Sequence, residues 1–357
     1  KPSWRSLLWH TLASGLALDI RLMAIVFPLG TTILVTIKIM RGEMGWRRAF
    51  EYLVVYLGGA FLITFSFWPL LWQDGLVKFL EAMMFMLKYQ FEMNSLYLGN
   101  IYPSNKLPWH YLPVWIGITT PLLYLALFFI GAVATLKTLV LRHWRLWNTN
   151  EELQDLIFLV ICVVPVLAVV LLRSVLYDGW RHMYFIYPAL LMVAIKGWFL
   201  VWKWAKSRTL TKYLAALTLT ACLANTAFWM VKAHPLQNVY FNALAGKNWK
   251  ENFDVDYWGL GNRQALEYIL AHDDRSVIRV WAVDPLLMPL EMAKTVVPSH
   301  QKSRLIILPN QNEWDHADYV VSNYRLNPQD IDERRFVKVL TVSVTREPIV
   351  TVYKKVP

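Results

Sequence analysis

The stretch Asp178-Gly179-Trp180-Arg181-His182 sets an acid, an arginine and a histidine between two strongly apolar runs. Arginine offers a planar fork of N–H donors that matches phosphate oxygens. At the edge of an apolar run, the anion such a fork suits is one carried at headgroup level, as in a lipid-linked phosphate. The same residues also describe an ordinary interfacial turn, with Asp-Gly making the reversal, Trp180 as a belt aromatic and Arg181 and His182 among headgroups. Residue types alone leave both readings open. Asp19 and Arg21 form a second polar pair at the start of an apolar run. An ionisable group inside a span is costly and marks function, whereas a span beginning at Met23 leaves both at the interface. Lys106, Trp109, His110 and Tyr111 make a third cluster, with Pro108 and Pro113 bending the chain. Trp109 and Tyr111 suit a sugar ring, or more commonly a membrane interface. Asp254, Asp256, Tyr257 and Trp258 are the fourth. Their carboxylates suit a metal or a sugar, and the simpler account is a loop that docks an outer domain on a membrane core. Gly259 and Gly261 follow no strand and have no third glycine, so they make no dinucleotide fingerprint. No Walker loop, HExxH, GxSxG or paired CxxC occurs, and no metal site is assigned.

Long apolar runs must position these clusters. Of the 357 residues, 56% are hydrophobic and 18 are Trp, with a mean hydropathy of +0.35. That exceeds the apolar share of soluble domains and places the chain among membrane proteins. The formal charge of +11 falls mostly in short loops between apolar runs, which argues against a nucleic-acid partner. Cys162 and Cys222 lie inside apolar runs and read as core residues without a disulfide. About six runs reach the ~20 residues a bilayer crossing takes. They cover 16–37, 49–68, 112–137, 153–172, 183–204 and 210–231. Residues 74–93 read as a helix with charges scattered along it, lying at the interface or packed on the spans. Lys196 lies deep in the fifth run and is long enough to reach back toward its cytoplasmic end.

Three alternate loops carry the positive charge: Lys38, Arg41, Arg47 and Arg48; Arg142, His143 and Arg145; and Lys203, Lys206, Arg208 and Lys212. The positive-inside rule makes these cytoplasmic. The other face then holds the N-terminal residues, the outer loop 69–111, the loop 173–182 and everything after Lys232. Charge rises and apolar runs shorten beyond that point. A helix is predicted over 261–271 and strands over 277–283, 304–308, 319–322, 336–344 and 349–353. The domain organisation expected is a transmembrane domain at 1–232 and a small extracytoplasmic α/β domain at 233–357. The chain opens Lys1-Pro2 as though a loop continues from upstream, and it reads as the C-terminal part of a longer protein.

The stretch "YDGWRHMYFIYPAL" resembles the Asp-Gly-x-Arg-His start of a late span in bacterial glycosyltransferases of family 39, relatives of the dolichyl-phosphate-mannose–protein mannosyltransferases. "LPWHYLPVWIGITTPLLYL" is similar to that family's Leu-Pro-Trp-Tyr-Tyr segment, with His110 at an aromatic position. "HPLQNVYFNALAG" with "FDVDYWG" is similar to the stretch that opens the outer domain in one bacterial branch. The resemblance spans roughly residues 15–269. It implies a polytopic α-helical glycosyltransferase C fold in the inner membrane. Such an enzyme moves a mannose-like hexose from a polyprenyl-phosphate donor to a protein or glycolipid acceptor on the non-cytoplasmic face, with no tightly bound cofactor. The family's catalytic base, an acid in the first outer loop, is expected upstream of Lys1, so it is carried onto no residue here. What remains is the phosphate side: Arg181, with His182 beside it and Arg21 as a weaker second ligand. Asp178, Asp19, Trp109, His110 and Tyr111 would orient sugar or site. The competing readings are a transporter or flippase-like protein, favoured by intramembrane charge, and a non-catalytic subunit.

Overall fold

The computed structural model describes residues 3–87, 93–141, 146–282, 287–309, 311–323, 331–332 and 334–356. Lys1, Pro2, Arg142, His143, Arg145 and Val283, all invoked above, and residues 88–92 of the helix expected over 74–93 lie outside the described residues. The chain divides into two units, Lys1–Gln90 and Phe91–Pro357.

In the first unit the N-terminal residues are not a loop. They form helix α1 (Trp4–Ile20), whose first turn is capped by the Ser3 hydroxyl accepting from the Ser6 N–H at 3.2 Å. Arg21 is extended, and a 3-10 turn (Leu22–Ile25) leads into α2 (Val26–Met40). The predicted run from residue 16 is therefore two helices, and the membrane-length segment begins at Leu22. After α3 (Trp46–Phe67), α4 (Leu71–Leu87) is kinked at Asp74 and Gly75. Small residues let α1 and α3 approach: a Cβ on Gly15 would stand 2.7 Å from Ile63 Cβ, and the Thr64 hydroxyl donates to the Gly15 carbonyl at 3.1 Å. Helix α4 leaves Leu76, Leu80 and Met84 exposed on one side, the amphipathic character of an interfacial helix.

The second unit begins with a hairpin, β1 (Asn94–Tyr97) and β2 (Asn100–Pro103), inside what reads in the sequence as a loop. The predicted third span is two helices, α5 (Tyr111–Thr119) and α6 (Leu122–Leu141), interrupted at Thr120-Pro121, where a proline removes a helical donor. Helix α7 (Asn150–Leu171) starts at Thr149, whose hydroxyl accepts from the Glu152 N–H at 3.2 Å, while the Glu152 carboxylate accepts from the Asn148 N–H at 2.8 Å. This is a near-reciprocal cap. A 3-10 turn (Arg181–Ile186) precedes α8 (Tyr187–Ala205), and α9 (Thr209–Ala233) follows. Among the described residues, six helical segments are long and apolar enough to cross a membrane. Helices α6 and α8 cross at two glycines. A Cβ on Gly197 would fall within 1.9 Å of the Leu127 carbonyl oxygen, and one on Gly131 within 2.1 Å of that of Val193. Lys196 lies in α8. Its Nζ meets Asp155 Oδ2 at 2.6 Å and the Thr135 hydroxyl at 2.9 Å, tying α8 to α7 and α6.

The C-terminal region runs α10 (Trp249–Asn252), α11 (Gly261–His272), β3 (Ile278–Ala282), α12 (Leu287–Thr295), α13 (Ser299–Lys302), β4 (Leu305–Ile307), β5 (Tyr319–Ser322), β6 (Phe336–Val344) and β7 (Glu347–Lys355). The five strands order as β4-β3-β5-β7-β6, with β3 parallel to β4 and β5 and the remaining pairs antiparallel. Ala265, Leu266 and Ile269 on one face of α11 pack on Ile278, Val280, Val350 and Val352 of the sheet. All five strands lie where β-branched content places them.

Candidate functional site

Helix α7 hands the chain to a short loop pinned at several points. The Leu176 N–H donates to the Ser104 carbonyl at 3.3 Å. Asp178 and Gly179 both take positive φ, 55° and 70°, and make the reversal. The Gly179 N–H donates to the Tyr111 hydroxyl at 3.1 Å, and the Trp180 indole N–H donates to the Thr119 hydroxyl at 2.7 Å. Both bonds fasten the loop to α5. Trp180 is 5% exposed and Asp178 4%, so Trp180 is a core residue and not a belt aromatic. Its ring meets Tyr184 and Tyr187 edge-on, at 4.8 and 5.9 Å between centroids.

This frame aims Arg181. Its Nη2 lies 3.0 Å from Asp178 Oδ2. Its guanidinium stands over two rings, 4.7 Å from the centre of Tyr177 and 4.8 Å from that of Trp258. Stacking of this kind fixes the cation without consuming its in-plane donors. The Nε–H is buried and has no hydrogen-bond partner among the described residues, and a buried donor without an acceptor ordinarily costs about 1–3 kcal/mol. His182 packs edge-on against Tyr177 at 4.7 Å. The arrangement suits an oxyanion presented to an oriented, part-desolvated cation.

Tyr111 is brought to the turn by its bond from the Gly179 N–H. Burial first, then the carboxylate of Asp254, raises its phenol pKa well above the ordinary tyrosine value, keeping the hydroxyl neutral. Tyr257 is raised in the same direction, first by burial and then by Tyr184, whose hydroxyl lies 3.1 Å away. His110 is directed elsewhere: its Nδ1 meets the Tyr97 hydroxyl at 2.5 Å, and burial, then Tyr102, pushes that phenol up to about 12. Trp109 is 71% exposed. Neither Trp109 nor His110 contacts Arg181. Asp19 closes α1, and Arg21 is exposed just ahead of the segment that starts at Leu22, so both lie outside the span. Neither forms an ion pair with another described residue.

Asp256 is structural. Its Oδ1 accepts from the Asn238 side-chain amide at 3.1 Å and the Leu260 N–H at 3.0 Å, and its Oδ2 accepts from the Gly261 N–H at 2.9 Å. It thereby caps α11. Trp258, read in the sequence as part of a docking loop, supplies one face of the arginine stack, and Tyr177 supplies another. The signal for them was the density of aromatic residues on either side of the polar positions.

No family model, curated protein or solved structure matches the chain.

Proposed function

We propose that this chain belongs to a multi-pass inner-membrane glycosyltransferase of the family 39 kind. It moves a mannose-like hexose from a polyprenyl-phosphate donor to a protein or glycolipid on the non-cytoplasmic face, with Arg181 holding the donor phosphate. The observation that carries the reading is the Arg181 guanidinium itself, set against the rings of Tyr177 and Trp258 and braced by Asp178, with a buried Nε–H that has no acceptor among the described residues. Cleaving the sugar–phosphate bond leaves its electron pair, and negative charge, on the departing phosphate. A donor fixed beforehand stabilises that charge more in the transition state than in the bound substrate. His182 and Asp178 support the same group, one beside the arginine and one against it. Activation of the acceptor requires a base outside the residues assigned here.

The test is transfer of labelled sugar from a polyprenyl-phosphate donor in membranes carrying the full-length protein. Arg181→Ala is expected to lower transfer by roughly 10²-fold at unchanged protein level, the scale of losing one oxyanion donor, and Arg181→Lys to restore only part of it. Transfer at the wild-type rate by Arg181→Ala would remove Arg181 from the site. Flux of a substrate across sealed vesicles without sugar transfer would establish the transporter reading instead.

A further inference from the structure

A cleft of about 440 Å³ opens beside Tyr111, between residues 104–109 and the C-terminal end of α7. Its polar lining includes Lys106 and Arg173 and no aspartate or glutamate. Neither cation has an ion-pair partner among the described residues. The apolar wall is formed by Leu107, Leu112, Val169 and Val170.

Arg173 is held there by the way α7 ends. The Ser174 N–H donates to the Val169 carbonyl at 3.1 Å and the Arg173 N–H to the Val170 carbonyl at 3.3 Å. With Leu172 as the C-cap, this is the paired-bond helix stop whose left-handed position is ordinarily glycine. Here that position is Arg173, at φ 48°. An arginine kept in this conformation costs about 1–2 kcal/mol that glycine avoids. An outlier of this kind points to a use for the side chain. Leu171 and Leu172, the two residues before it, are exposed. They close a segment of membrane-crossing length, so the cleft lies where acyl chains meet water.

We propose that this cleft binds the headgroup of an anionic phospholipid, its phosphate on Lys106 and Arg173 and its glycerol and first methylenes against Val169, Val170 and Leu112. The charge calls for an anion, and the apolar wall running out to exposed leucines calls for one that continues into the bilayer. A soluble phosphate would use the cations and leave the wall wet. The site uses different cations from the Arg181 group and does not depend on glycosyl transfer.

The test is native mass spectrometry of the purified full-length protein, released from detergent micelles doped with equal amounts of phosphatidylglycerol and phosphatidylcholine. Wild type is expected to retain one phosphatidylglycerol in preference to phosphatidylcholine. K106Q/R173Q should lower that preference about thirtyfold, the effect of two basic residues near a membrane surface. R173K should keep most of it. Thermal unfolding without phosphatidylglycerol checks that each variant is folded; should K106Q/R173Q not fold, K106Q is compared with R173K. Equal retention of the two lipids by wild type, or undiminished preference in K106Q/R173Q, overturns the proposal. Displacement of the lipid by millimolar inorganic phosphate also overturns it, by showing a site for a soluble anion.

Discussion

Two backbone positions specify the turn that presents Arg181 before any side chain acts. Asp178 is of a type that tolerates the left-handed region, and Gly179 has no Cβ to hinder it. Asp178→Asn keeps that tolerance and the shape while removing the charge against Arg181, so thermal unfolding should be unchanged and transfer should fall roughly tenfold. A variant with normal transfer would make the ion pair dispensable. Gly179→Ala should instead lower stability, by about 1–2 kcal/mol, because its Cβ would enter the left-handed region 3.4 Å from the Trp115 ring; a denaturation midpoint measures this. In the sheet domain, Arg275, whose Nη2 lies 2.7 Å from Asp273 Oδ2, holds the Asp273 carboxyl well below the usual carboxylate range, with backbone and Tyr319 hydrogen bonds adding to the effect. A depressed carboxyl contributes fully above the unfolded value near ~4 and loses its contribution as pH falls toward the folded value. Wild type should therefore lose more thermal stability than Asp273→Asn between neutral pH and pH of about 3, and equal losses would exclude the linkage. At this scale Asp178, Arg181 and Tyr111, which the structure brings to one turn, stand out in the sequence because an acid, an arginine and a phenol beside apolar runs are visible as residue types. Trp258 and Tyr177 are not visible as partners, since a ring stack between distant segments leaves no periodic trace.

The helices were legible where hydrophobic length decides, and illegible where backbone chemistry does. The 49–68, 153–172 and 210–231 runs lie close to α3, α7 and α9. The break at Pro121 is hidden inside a continuous apolar run. The hairpin of β1 and β2 turns on Leu98 and Gly99, both at positive φ, and leucine at such a position is no turn signal. Helix α1 keeps exposed Trp4, Leu8 and Leu12 on one side and buries Leu7, Thr11 and Ser14 on another, a pattern with little of the usual apolar contrast. Two element-scale expectations follow. Gly197→Val should prevent α8 from lying against α6, since even a Cβ meets the Leu127 carbonyl oxygen, and the protein should fail to accumulate or unfold far earlier; normal yield and stability would show that the crossing yields easily. Lys196→Met should cost about 3 kcal/mol by leaving Asp155 unpaired, whereas Lys196→Met with Asp155→Leu should recover most of that loss. Failure of the double variant to recover would mean that the pair does more than join α7 to α8.

At the scale of the whole molecule, orientation decides whether the chemistry is possible at all. A polyprenyl-phosphate sugar used on the non-cytoplasmic face requires Arg181 on that face. If all six candidate spans among the described residues cross, the loops alternate, and charge gives the alternation its direction. Lys38, Arg41, Arg47 and Arg48 flank one connection, and Lys203, Lys206, Arg208 and Lys212 flank another. Both connections have to lie on one side if the helices between them all cross. In the proposed orientation the positive-inside rule puts that side in the cytoplasm, with the turn before α8 and the sheet domain after α9 on the opposite face. Ser207 lies between α8 and α9, and Ser303 is exposed in the sheet domain. With Cys162 and Cys222 replaced by alanine, Ser303→Cys should react with a membrane-impermeant maleimide in intact spheroplasts, and Ser207→Cys only after permeabilisation. The reverse pattern would put Arg181 and the sheet domain in the cytoplasm and end the case for an outward-facing transferase. Labelling of both sites from one side would mean that α9 does not cross, an outcome the experiment must separate because no residue of that helix before Ala233 is buried.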